Sequence, residues 1–265
     1  MIVDYHTHTR LCKHAQGDVE DYVQAAIKLG IDEIGCSDHA PLPGNYDERH
    51  RMSVEEYYSV YAPAVSLMHE KHKNQIRIKR AVEVDFMDWA DEWNRRFIDE
   101  NDFDFVIGSV HFVGPLGKEK ALFGREYEAK EVESLYEEYY QAIGASARSG
   151  LFDVVAHCDI VKKFGALSNS HVEELIGEAL REIKEAGICI EINTSGLRKP
   201  EKETYPGLSI LARACDLGIP ITIGSDAHRP EDVGRDLDHA IELVQRFGKG
   251  RLSVFNHRRR TEVSV

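Results

Sequence analysis

The sequence predicts an α/β fold, a distorted barrel of seven parallel strands in (β/α)7 order, and two observations carry that expectation. Seven short apolar, β-rich runs alternate with segments of helical periodicity along the 265 residues, as they do when buried parallel strands are joined by helices. Most of these runs end on histidine or a carboxylate, and a closed ring of parallel strands gathers such ends at one rim. An open doubly wound sheet would show the same alternation, so the placement of the polar ends is what favours closure. No Pro/Ser-rich linker, repeat or low-complexity tract interrupts the chain, and its length suits a single domain over residues 1–265.

The expected strands are Ile2 to Asp4, Glu33 to Cys36, Ile78 to Val84, Phe105 to Val110, Val154 to His157, Cys189 to Asn193 and Ile221 to Gly224. The first helix opens at Asp18 as N-cap, places Val19, Tyr22, Val23, Ala26 and Ile27 on one face, and stops at Gly30. The second begins with the capping box Ser53 to Glu56 and carries Tyr57, Val60, Tyr61, Ala64, Val65 and Met68 on one stripe, with Pro63 predicting a kink. Val132, Leu135, Tyr136, Tyr139 and Ile143 mark the next helix. Val172, Leu175, Ile176, Ala179, Leu180 and Ile183 mark another before Gly187. Pro206 starts a further helix, and Leu237, Ala240, Ile241 and Val244 define the last.

Composition narrows the function classes. A formal charge of −13 repels polyanions and argues against nucleic acid as a partner. Three divalent cations would bring it to −7, since −13 + 6 = −7. The five cysteines form no C-x-x-C pair and predict a reducing, cytoplasmic setting. The sequence starts without a basic, apolar leader pattern, and no run approaches the roughly 20 apolar residues that cross a bilayer, so neither export nor a membrane partner is expected. The run His257 to Arg260 reads as a solvated tail.

Nine metal-type side chains stand at or just past strand ends. His6 and His8 share a face by the period of two, and His14 follows in a loop. His39 follows the second strand, Glu83 ends the third, His111 follows the fourth, His157 ends the fifth, and Asp226 and His228 follow the seventh. Only the sixth strand lacks an obvious donor. One such histidine is ordinary, but nine histidine and carboxylate donors exceed the needs of one tetrahedral ion and imply two or three of Zn, Mn or Fe. A carboxylate such as Glu83 can bridge two ions about 3.5–4 Å apart, the arrangement of phosphoester hydrolysis. Asp38, Asp85 and Asp159, close to these donors, are expected to orient imidazoles. His50, His69, His72, His171, His239 and His257 are expected at the surface.

The motifs His6-Thr7-His8 with His14, Ser37-Asp38-His39, Glu83, Gly108 to Phe112, His157 and Ser225 to His228 resemble the polymerase-and-histidinol-phosphatase (PHP) family. Within it, Gly108 to Phe112, Glu191 to Lys199 and Ser225 to Arg229 are similar to the monofunctional histidinol phosphatases. The resemblance covers Asp4 to about Gly234, with Ser37 where Thr is usual and Ala156 where Gly is common; neither change removes a donor. It implies a distorted TIM-like barrel that hydrolyses L-histidinol phosphate in histidine biosynthesis. It also implies one ion on His6, His8, Glu83 and Asp226, a second on Glu83, His111 and His157, and a third on His14, His39 and His228.

A phosphomonoester dianion needs further cations, and arginine offers a planar fork to two oxygens. Arg198, after the sixth strand, is the first candidate for substrate binding, with Lys162 and Lys163 next. The mechanism expected is in-line attack by a hydroxide between two ions, with Glu83, Asp226, His228 and Arg198 as the catalytic set. The segment from Ala40 to Arg51 is a candidate lid by its Pro and Gly content. The rivals are a PHP phosphoesterase for a nucleotide, phosphotyrosine or nucleic-acid ester, an amidohydrolase, and a non-catalytic metal-binding module. Acidity disfavours the nuclease, His111 and His228 disfavour the amidohydrolase, and a full donor set disfavours the non-catalytic module.

Overall fold

The computed structural model describes residues 1–265. Seven strands form one parallel sheet: β1 (Val3–Asp4), β2 (Glu33–Cys36), β3 (Arg77–Asp85), β4 (Phe105–Ser109), β7 (Val154–Val155), β8 (Cys189–Asn193) and β9 (Ile221–Gly224), in that spatial order. The ring then closes on itself. Tyr5 N donates to Ile223 O at 3.3 Å, Thr7 bridges Ala227 in parallel, and His8 N donates to Ala227 O at 2.9 Å. The closed barrel expected from the placement of the polar strand ends is therefore present, although β7 is two residues shorter than its apolar run.

The helices lie around the ring. Helix α1 (Val19–Leu29) buries Val19, Tyr22, Val23 and Ala26 and stops where Gly30 takes a left-handed φ of 70°. Helix α2 runs through Val54–Glu56, Tyr57–Tyr61 and Ala62–His72. Its middle segment is a π turn in which Ala62 N–H reaches back to Tyr57 O, so the predicted kink takes the form of a widened turn just before Pro63, which has no N–H to give. Helices α4 (Ala129–Arg148), α5 (Ser170–Ala186), α6 (Leu208–Asp216) and α7 (Leu237–Phe247) follow their apolar stripes. No helix is long and apolar enough to cross a membrane.

Three features lay outside the sequence reading. Helix α3 (Asp91–Asp99) links β3 to β4 and buries only Asn94, Phe97 and Ile98, too narrow a face to stand out. A two-stranded hairpin, β5 (Phe112–Val113) and β6 (Lys120–Ala121), leads off the end of β4. A second hairpin, β10 (Arg251–Asn256) and β11 (Arg259–Ser264), caps the opposite end of the barrel, where Phe255 packs 5.5 Å from Phe105. The expected solvated tail is thus the turn and second strand of a hairpin. Arg258 donates to Leu151 O at 2.6 Å and pairs with Asp153 at 2.5 Å, and Arg260 donates to Gly187 O at 2.9 Å.

Candidate metal centre

All nine predicted donors converge at the rim formed by the strand C-termini, with Glu83 at their centre. Glu83 Oε1 lies 3.5 Å from His6 Nε2, 3.8 Å from His111 Nε2 and 3.1 Å from His157 Nε2. Glu83 Oε2 lies 3.6 Å from His8 Nε2 and 2.8 Å from His39 Nδ1. Asp226 Oδ1 reaches His8 Nε2 at 3.1 Å and His6 Nε2 at 3.9 Å. The His228 ring is 4.2 Å from that of His8 and 4.9 Å from that of His14. His157 and Asp226 hold positive φ values of 25° and 52°, a strained backbone that non-glycine residues adopt when the site requires it.

The donor chemistry fits divalent cations. His14 Nδ1 donates to Cys12 O at 2.7 Å and His228 Nδ1 to Asp226 O at 3.1 Å, which leaves each Nε2 with a free lone pair. His6 Nδ1 faces Glu191 Oε1 at 2.8 Å and His111 Nδ1 faces Asp85 Oδ1 at 3.0 Å, which turns each Nε2 toward Glu83. His6 Nε2 is buried without a hydrogen-bond partner, 3.5 Å from Glu83 Oε1. Such an orphan costs about 1–3 kcal/mol, and a cation between it and Glu83 is a partner that satisfies it.

Without ions, electrostatics divides the cluster. Burial pulls the His6 imidazole down, but the charges of Glu191, Glu83 and Asp226 outweigh it and lift it well above its ordinary range. His8 is raised to about 9, with burial opposed by hydrogen bonds to Asp226 and Asp38. His228 is lowered to about 3 by burial and by the charge of His8. Burial pushes Glu83 and Asp226 upward, but the surrounding imidazoles hold both carboxylates well below their usual range.

The sixth strand of the ring, β8, supplies orientation. Glu191 accepts from His6 Nδ1, and Asn193 Nδ2 bridges Glu191 Oε2 at 3.0 Å and Asp226 Oδ2 at 3.2 Å. Ser195 Oγ donates to the same Asp226 oxygen at 3.1 Å. Gly224 lets these layers meet, since a Cβ there would stand 2.4 Å from Glu191 Oε1 and 2.6 Å from His6 Cβ. The alternation of Glu191, Asn193 and Ser195 at a strand end was the signal available in the sequence.

Arg51 gave no such signal. This fully buried guanidinium contacts Asp85 Oδ2 at 2.5 Å and His39 Nδ1 at 2.9 Å, and pins the C-terminal end of the Ala40 to Arg51 segment against the site. Asp38 and Asp85 do lie against imidazoles, with Asp38 Oδ1 3.4 Å from His8 Nδ1. Asp159 does not: it accepts from Gly207 N at 2.8 Å and pairs with Lys162 at 3.0 Å. Of the histidines expected at the surface, His72 is buried and His50 lines the site cavity, its ring 5.0 Å from Phe123.

A cavity of about 600 Å³ opens over the cluster, with Arg51, Arg125, Lys163 and Lys199 in its walls. Arg198 is not among the lining residues. Its guanidinium donates to Ser225 O at 2.5 Å and faces Asp236 at 3.7 Å, because the 3-10 turn Thr194–Arg198 directs it away. Lys162 is spent on Thr204 O at 2.7 Å, Glu203 and Asp159. Lys163 does face the cavity, and burial together with the charge of Lys199 lowers its ammonium to about 8.

The PHP domain family model matches residues 4–195. A Deinococcus radiodurans protein named "Probable histidinol-phosphatase" is 36% identical over 258 residues, covering 97% of this chain and 98% of its own. The Bacillus subtilis protein named "Histidinol-phosphatase" is 31% identical over 266 residues, covering 90% and 98%. Among solved structures, a Lactococcus lactis histidinol phosphate phosphatase complexed with zinc, L-histidinol and phosphate superposes with a TM-score of 0.78 at 23% identity, covering 98% of each chain. At that identity the likeness bears on the fold, whereas the two sequence relatives and the family match bear on descent. The chain belongs to the PHP family.

Proposed function

We propose that this protein is a metal-dependent histidinol-phosphatase that hydrolyses L-histidinol phosphate to L-histidinol and phosphate in histidine biosynthesis. The observation that carries this reading is Glu83, whose two oxygens face five imidazoles delivered by four different strand ends. That is the geometry of a carboxylate shared between cations. His6, His8 and Asp226 would hold one ion with Glu83, His111 and His157 a second with the same carboxylate, and His14, His39 and His228 a third. Two to three ions of Zn, Mn or Fe fit these oxygen and nitrogen donors. When bound, such ions supply Lewis acidity to phosphoryl oxygens and make water nucleophilic at neutral pH.

The chain's own residues supply positioning. Lys163, Lys199 and Arg125 draw the phosphate dianion into the cavity, with Lys163 taking the substrate-binding role first given to Arg198. Asp226 is held by Asn193 and Ser195 through one oxygen, so its other oxygen keeps a fixed aim at the reacting centre. Beyond the phosphate end, Phe123, Phe164 and Tyr205 give the cavity apolar walls, and Glu126 and Glu201 are acids that suit a cationic amino alcohol. The small-molecule monoester is the only partner this reading requires.

The test is phosphate release from L-histidinol phosphate beside an aryl phosphate, a nucleotide and phosphotyrosine, with metal content determined on the same sample. Preference for histidinol phosphate by orders of magnitude is the expected result. Equal or faster release from another ester would overturn the substrate, and no release by fully metallated protein would overturn the activity.

A further inference from the structure

Cys12 stands apart from the other buried cysteines. Cys36, Cys158 and Cys189 belong to the main packed cluster of the core, whereas Cys12, equally buried, lies outside that cluster. Its sulfur points among metal-type donors. The ligand atoms of Cys12, His14 and His228 lie within 4.8 Å of one another, as do those of His8, Cys12 and Asp38. A buried cysteine that serves only as a small hydrophobe sits among aliphatic neighbours, not beside two imidazoles.

Local structure holds the sulfur there. Thr9 caps the 3-10 turn Arg10–Cys12 and is itself fixed by Asp38, through Thr9 N at 3.0 Å and Thr9 Oγ1 at 2.5 Å. Lys13 then turns the chain back with a left-handed φ of 70°. The backbone N–H groups of His14 and Ala15 face the Cys12 sulfur. Gln16 N donates to His228 O at 2.9 Å and ties this loop to the end of β9. Cys12, His14 and His228 are therefore held as one corner of the rim.

We propose that Cys12 is a sulfur donor to the ion at the His14 and His228 corner, and that this donor makes the position selective for zinc over manganese. The inference rests on the metal-dependent reading of the site. On binding, the S–H bond breaks, its proton passes to solvent, and the sulfur lone pair forms the bond to the cation; nothing is oxidised or reduced. Thiolate with imidazole is a donor set that ranks zinc well above manganese, whereas imidazole and carboxylate alone discriminate less.

The test uses the full-length protein, stripped of metal and titrated with cobalt(II), whose thiolate complexes show a sulfur-to-metal charge-transfer band in the near ultraviolet. The expected result is that band in the wild type and its loss in Cys12→Ser, with the ligand-field bands of the remaining cobalt retained. Zinc-over-manganese preference should fall by about tenfold or more in the variant. If Cys12→Ser does not fold, cadmium-113 resonances of the unaltered protein report sulfur ligation directly. Cobalt bound without the charge-transfer band, or a band that persists in Cys12→Ser, would overturn this inference and leave the metal site intact. A protein that takes up no cobalt would overturn both.

Discussion

Glu191 Oε1 lies 2.8 Å from His6 Nδ1, so the one strand of the ring without a candidate ligand aims the first of them. The contact fixes which His6 nitrogen faces Glu83. Removing such a partner typically weakens metal binding by about 10–100-fold without removing a ligand. Glu191→Gln should therefore keep the fold and lose metal affinity by that factor in chelator competition, with activity restored at high metal. Unchanged affinity would show that His6 needs no such support.

Proton release should accompany metal binding. His6 lies well above its ordinary range and His8 near 9 in the metal-free protein, so both carry the extra proton at pH 7. A cation must displace it. Affinity therefore rises with pH below about 9, by up to about tenfold per unit for each proton displaced, and falls on acidification. Calorimetry in two buffers of different ionisation enthalpy counts those protons, and a count of zero would contradict the charge states assigned here.

Lys163 and Arg198 should separate cleanly. The Lys163 ammonium titrates near 8, so the charge that attracts phosphate is present below that pH and lost above it. The kcat/KM of the wild type should decline through pH 8, and Lys163→Arg should hold its rate to higher pH. Lys163→Met should lower kcat/KM by about 10–100-fold at unchanged metal content, through the loss of a charge-assisted contact. Arg198→Met should leave KM near the wild-type value and lower thermal stability, because its bonds run to Ser225 O and Asp236. A large KM effect at Arg198 would return it to the substrate.

Arg51 carries a stability prediction. Asp85 is fully buried, and removing the guanidinium at 2.5 Å leaves that carboxylate without its charge partner. Breaking a buried pair in this way costs about 3–5 kcal/mol. Urea denaturation of Arg51→Met should show a loss of that order, and a variant as stable as wild type would mean that Asp85 finds another partner.

What was legible in the sequence follows from which forces act locally. Parallel strands buried on both faces read as unbroken apolar runs, and a polar residue closing such a run marks the rim, which is why His39, Glu83, His111 and His157 could be placed by position alone. Helix α3 escaped because three buried positions make too narrow a stripe to show periodicity. Arg51 and Glu191 act through partners 34 and 185 residues away, at Asp85 and His6, and no spacing rule encodes such contacts. Arg198 was placed correctly after β8, but the direction of its side chain is set by one 3-10 turn. Asp159 shows the same limit: it neighbours His157 in sequence and faces Gly207 in space.

Glu83 would join the ions into one centre on which turnover depends. That role is tested most directly by measuring phosphate release from L-histidinol phosphate and bound metal together in Glu83→Ala. The expected result is loss of metal from the two positions that share Glu83 and a fall in kcat to near background, even when excess metal is supplied. Substantial turnover by a fully metallated Glu83→Ala protein would contradict it.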